Sequence, residues 1–165
     1  MFRRALIIAL AASLLAIPAW AKPKVSTDTT PGANFATYRT FTFVNALPPA
    51  GMDPVGYERI RQGVEQGLTG KGFSKAEPGD LSVIITVGAK NKTDVNTWGR
   101  FGQQVDVYQY TVGSLSVDVF DTKTKQPLWH GQATETIDPQ KPNPQKIDAA
   151  VADLMAKFPA RPGGD

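Results

Sequence analysis

A single histidine, His130, and 15 acidic residues are the groups from which this 165-residue chain could build acid–base or metal chemistry, since it contains no cysteine. A Ser-His-Asp arrangement would have to use His130. That residue stands beside Trp129 in a strand-like stretch, where successive side chains leave opposite faces of a sheet. The GxSxG elbow that exposes a nucleophilic serine is absent from the sequence. His130 is therefore expected on a half-exposed surface. Asp80, Asp106, Asp118 and Asp121 are spread over separate segments, with no EF-hand spacing and no histidine pair to join them. Asp118 suits a solvated strand position and Asp121 a turn. Glu58, Glu65 and Glu135 could supply the two carboxylates of a hydrolase, but no spacing singles them out. Gly67, Gly70 and Gly72 close a helix, whereas a phosphate-binding loop needs a strand before it and a helix after it. The residues thus imply a protein that is not an enzyme and has no cofactor or bound metal.

One stretch carries binding chemistry. Trp98-Gly99-Arg100-Phe101-Gly102 places two large aromatics and an arginine between glycines, and Tyr108 and Tyr110 follow on the next strand. Trp, Tyr and Arg are the residue types that dominate binding hot spots. Trp98, Arg100, Phe101, Tyr108 and Tyr110 therefore form the candidate interaction surface. The competing expectation is that Trp98 and Phe101 fold back to cover a sheet edge.

The elements that position this stretch follow from periodicity. Leu115, Val117 and Val119 alternate with Ser114, Ser116 and Asp118, as in a strand with one buried face. The polar run 121–126 reverses the chain. Pro127 opens a second strand, at the one position where its missing N–H costs no ladder bond. The polar segment Lys22 to Pro31 can form a short edge strand around Val25, Thr40–Val44 is aromatic and strand-like, and Val83-Ile84-Ile85 suggests a central strand. Gly88 to Gln104 is expected to be a long loop. Asp53 and Asn143 are good helix N-caps, each followed by proline. Behind them Tyr57, Ile60, Val64 and Leu68 form one helical stripe, and Ile147, Ala150, Val151, Leu154, Met155 and Phe158 another. Gly63 and Gly67, beside the first stripe, predict close approach of that helix to the sheet. Two amphipathic helices need a face to cover, so the fold class is α+β. It is a single two-layer sandwich in which a mixed, mostly antiparallel sheet carries both helices on one face. Residues 160–165 are expected to be a disordered tail.

The N-terminus carries an address. Arg3-Arg4, a short apolar stretch from Ala5 to Ile17, and small residues at Ala19 and Ala21 together make a secretory signal, with cleavage after Ala21. An uncleaved membrane tether is the alternative, but about 13 apolar residues fall short of the roughly 20 that span a bilayer. Removing residues 1–21 takes two arginines, leaving 16 basic against 15 acidic residues. With that balance, and without a basic cluster interleaved with aromatics, nucleic acid is not an expected partner. Without cysteine there is no lipid anchor either, and a periplasmic location is expected.

From Phe35-Ala36-Thr37-Tyr38-Arg39-Thr40-Phe41 through Lys71-Gly72-Phe73 and Asp80-Leu81, the chain resembles the DUF4136 family of bacterial exported proteins. The resemblance continues in Gly113-Ser114-Leu115-Ser116-Val117-Asp118, Pro127-Leu128-Trp129-His130-Gly131-Gln132-Ala133 and Ile147-Asp148-Ala149-Ala150-Val151. It implies one α+β domain over 22–159 and an exported location, and no activity. The chain departs from lipoprotein members in lacking a cysteine at the cleavage site. Two functional expectations follow. The first is a non-catalytic envelope module that binds an envelope protein or other component through the 88–110 region. The alternative is a carrier of a small apolar ligand, held in space that Gly63 and Gly67 leave under the first helix.

Overall fold

The alternation in 112–137 produces the centre of the fold. In a computed structural model describing residues 22–44, 47–50, 52–98 and 104–162, six strands form one sheet. They are β1 (Lys24–Thr29), β2 (Thr40–Phe43), β3 (Ser74–Lys75), β4 (Leu81–Trp98), β5 (Gln104–Asp121) and β6 (Pro127–Ile137), in the order β1-β6-β5-β4-β2-β3. The pairs β1–β6, β6–β5 and β5–β4 are antiparallel, and β2 runs parallel to both β4 and β3. The parallel β2–β3 pair requires a crossover, which helix α1 (Pro54–Gly70) supplies. Helix α2 (Pro144–Ala156) closes the chain. The signal-like residues, Ala19 and Ala21 among them, lie outside the described residues, as do Arg100 and Phe101.

Both helices begin as their caps dictate. The Asp53 carboxylate accepts from the Gly56 amide at 2.8 Å, and the Asn143 side chain accepts from the Gln145 and Lys146 amides. Between the helices and one face of the sheet lies the core. Tyr57, Ile60, Val64 and Leu68 of α1 and Val151, Leu154 and Met155 of α2 are buried over Leu81, Val83, Ile85, Leu115, Val117 and Val119. The Phe158 ring, just past α2, meets Phe35, Phe73 and Trp129 edge-on at 5.4, 5.7 and 5.0 Å.

Three expectations change. Residues 88–104 are not a long loop: β4 continues to Trp98 and β5 starts at Gln104. Polar residues with both faces in water give no burial alternation, so the strand is invisible to a pattern search. Gly63 and Gly67 do admit a close approach, but to the other helix rather than to the sheet. A Cβ at Gly63 would lie 2.7 Å from Val151 Cγ1, and one at Gly67 2.6 Å from Met155 Cβ. The space imagined under α1 is therefore filled by α2. The tail is anchored further than expected: the Arg161 amide donates to the Lys71 carbonyl at 2.9 Å and its guanidinium to the Gly72 carbonyl.

Gly67→Ala sets two opposing effects against each other. Alanine gains about 1 kcal/mol of helix propensity, but overpacking against Met155 Cβ, which no side-chain rotation moves, costs typically 1–3 kcal/mol. Thermal unfolding is expected to show a lower midpoint for Gly67→Ala and a larger loss for Gly67→Val; a midpoint at or above that of the parent would refute the contact.

Candidate functional site

Several acidic residues make structural contacts. Asp80 accepts from the Arg39 and Thr40 amides at 2.9 and 3.1 Å, while its own amide donates to Thr40 Oγ1. This anchors the start of β4 to β2. Asp121 occupies the expected turn, accepting from the Lys123 and Thr124 amides at 2.8 Å and from the Tyr38 hydroxyl at 2.9 Å. Glu58 pairs with Arg61 within α1, Glu65 of α1 with Lys75 of β3, and Glu135 of β6 with Lys146 of α2. Among the described residues no cluster of three His, Cys, Asp or Glu side chains is arranged to hold a metal. His130 is half-exposed on the sheet face away from the helices, with Nδ1 2.6 Å from Asp118 Oδ1. Asp118 thus has a partner in addition to solvent. Ser116, two residues along the register on β5, accepts from Gln132 instead.

Within the 88–110 region, residues 92–98 and 104–110 form a two-stranded arm. Strand β6 ends at the Thr111–Ile137 pair. Beyond it β4 and β5 continue together for seven pairs, from Lys92–Tyr110 to Trp98–Gln104. Side chains alternate across the arm. One face continues the helix-covered side and carries Thr93, Val95 and Thr97 with Val105, Val107 and Gln109. The other carries Lys92, Asp94 and Asn96 with Asp106, Tyr108 and Tyr110. Among the described residues no helix reaches either face, and Val95, Val105, Val107 and Tyr108 are 55–58% exposed. A hydrogen bond to Asp94, reinforced by its negative charge, raises the Tyr110 hydroxyl above the usual phenol range.

Of the residues anticipated here, Tyr108 and Tyr110 share a face of this arm and Trp98 ends β4 opposite Gln104; Arg100 and Phe101 fall outside the described residues. The three exposed valines were not anticipated. Their signal lay in the short alternations Val105-x-Val107 and Thr93-x-Val95-x-Thr97, which the glycines at 88, 99 and 102 flank.

At the root of the arm a cavity of about 670 Å³ opens between sheet and helices. Met52, Ile60, Val87, Leu115, Ile137 and Ile147 supply apolar wall. The Glu135–Lys146 ion pair, 2.7 Å long, stands at its side, with Lys146 Nζ also donating to the Thr136 carbonyl. The cavity lies beneath the N-terminal ends of both helices. It draws on five elements and two connections, so no local pattern announces it. No helix among the described residues is long and apolar enough to cross a membrane.

The Asp80 geometry makes a pH prediction. Its amide donors, outweighing partial burial, hold the carboxyl below the ordinary Asp value. A depressed folded-state pKa stabilises the fold above the unfolded value near 4 and loses that contribution as pH falls through the folded value. Urea midpoints measured from pH 6 down to 3 are expected to fall. Asp80→Asn should start lower at pH 6 and decline less steeply; parallel curves would remove Asp80 from the linkage.

A family model described as a domain of unknown function, DUF4136, matches residues 25–160. Among solved structures, the chain is similar to a DUF4136 family protein from Bacteroides thetaiotaomicron: TM-score 0.57, 16% identity, over 83% of this chain and 96% of that one. It is also similar to a PDZ domain protein from Parabacteroides distasonis, with TM-score 0.57 and 15% identity, over 87% of this chain. It spans only 37% of the length of that protein. No curated protein sequence matches the chain.

Proposed function

This chain belongs to the DUF4136 family, and we propose that it is a non-catalytic, exported module of the bacterial envelope that acts by binding another envelope molecule through its hairpin arm. One observation carries the proposal: seven strand pairs stand clear of both helices and of β6, with four large apolar side chains in water. A two-stranded ribbon is marginal by itself in water. Exposed apolar side chains grouped on one projection are the kind of surface that marks interaction sites. Export is supported by Arg3-Arg4, the apolar stretch 5–17 and the small residues Ala19 and Ala21. A photo-crosslinking amino acid at position 108, used in living cells, is expected to give a discrete product whose partner is an envelope molecule. Val107→Thr combined with Tyr108→Ser should leave the unfolding midpoint within a few degrees and abolish the product. An unchanged product in that variant would sink the proposal.

The cavity favours a second reading, a carrier of a small apolar ligand. About 670 Å³ lies within the range of ligand sites, roughly 300–1,000 Å³, and its wall is mainly apolar. The predicted observation is a small apolar molecule that co-purifies with the protein from the periplasm in native mass spectrometry. Ala150→Phe, which fills the wall from α2, should release it. A clean ligand-free mass for the parent protein would rule the carrier out.

A further inference from the structure

The arm has two strand edges, and they differ in charge. Strand β2 meets β4 only over Leu81–Val83, so among the described residues no strand pairs with the outer edge of β4 from Lys90 to Trp98. On β5, the edge from Gln104 to Tyr110 likewise has no described strand beside it. Open edges of this length template pairing with another strand, and lysines on an edge restrict which pairings form. The β4 edge carries Lys90, Lys92 and Asp94, both signs within five residues; the β5 edge carries Asp106 and no basic residue. Only β4 can therefore match its own charges.

We propose that the arm's partner is a second copy of this chain, joined edge to edge by antiparallel pairing of the two β4 strands about a two-fold axis at Thr93. This inference rests on the arm being an interaction surface. The register follows from charge. A two-fold axis normal to the sheet keeps each face with itself, so opposed residues must be both even or both odd. Centring the axis on Lys90 or Asn91 sets lysine against lysine. Centring it on Lys92 pairs Lys90 with Asp94 but places the two Lys92 side chains against each other on the axis. A centre at Asp94 opposes the two Asp94 carboxylates. Centred on Thr93, Lys92 of each copy faces Asp94 of the other, Lys90 faces Asn96, and Asn91 faces Val95. No like charges meet. Opposite charges directly across an antiparallel pair stabilise it, and like charges oppose it. Asp94 keeps acceptor capacity for this contact, because a carboxylate has about four lone-pair sites and Tyr110 uses one. The product is a four-stranded arm sheet, β5-β4-β4-β5, with the two bodies at opposite ends.

The absence of cysteine makes the test direct. Thr93→Cys places the sole thiol on the axis, where opposed Cα atoms sit about 4.5–5.5 Å apart, within disulfide reach. In Asn91→Cys, also at an exposed position of the same strand, the two thiol-bearing residues would lie four residues out of register, about 14 Å apart at roughly 3.4 Å per residue. Under mild oxidation Thr93→Cys is expected to give a covalent dimer in at least tenfold greater yield than Asn91→Cys. Adding Lys92→Asp should cut the yield about tenfold through two repelling pairs; adding Asp94→Lys as well should restore it. Equal yields from positions 93 and 91, or no effect of the charge reversal, would overturn the self-pairing. If position 93 gives no dimer while the crosslinker at 108 captures a different envelope molecule, self-pairing fails and the interaction arm stands. If neither gives a product, both fall.

Discussion

Two helices of 17 and 13 residues, about 25 and 20 Å long at 1.5 Å per residue, cover a hairpin whose strands each run 18 residues, about 60 Å at 3.4 Å per residue. The remaining architecture follows from that mismatch. Where helices and hairpin overlap, alternation buries Leu115, Val117 and Val119. Past the helices' first turns the same alternation has nothing to bury against, and Val95, Val105 and Val107 meet water. The cavity marks the boundary between the two regimes, where the helix layer ends and the sheet does not.

The covered half is held by small, specific devices. Glycine at 63 and 67 lets α2 press against α1, and the Phe158 ring ties the end of α2 to the sheet and to the 3₁₀ turn Phe35–Thr37. Asp80 and Asp121, which might have been read as chemistry, spend their acceptor capacity on backbone amides at the starts and turns of strands.

Sequence pattern reaches this fold wherever burial imprints a period. The hairpin 112–137, both helix stripes and both proline-backed caps could be read residue by residue because each has one wet and one dry side. The arm could not, since Asn91-Lys92-Thr93-Asp94-Val95-Asn96-Thr97 is wet on both sides and flanked by glycines that suggest a loop. The two-residue strand β3 and the parallel pairing of β2 with β4 depend on contacts distant in sequence. The glycines of α1 announce a close approach without naming what approaches. For the candidate site, the aromatic stretch near Trp98 drew attention to this hairpin, whereas the exposed valines and the cavity depend on pairings and packing distant in sequence.

The direction of β1 has a mechanical consequence. Strand β1 runs antiparallel to β6 with Lys24 beside Thr134, toward the arm, while Arg161 is fastened to Lys71 and Gly72 at the far end of α1. The two ends of the described chain therefore leave from opposite poles. Tension applied between them would pull β1 lengthwise along β6, loading all six of its register pairs together rather than peeling them one by one. Among ways of stretching a sheet that is the resistant geometry, so a body held at one pole and drawn from the other would transmit force before it unravelled.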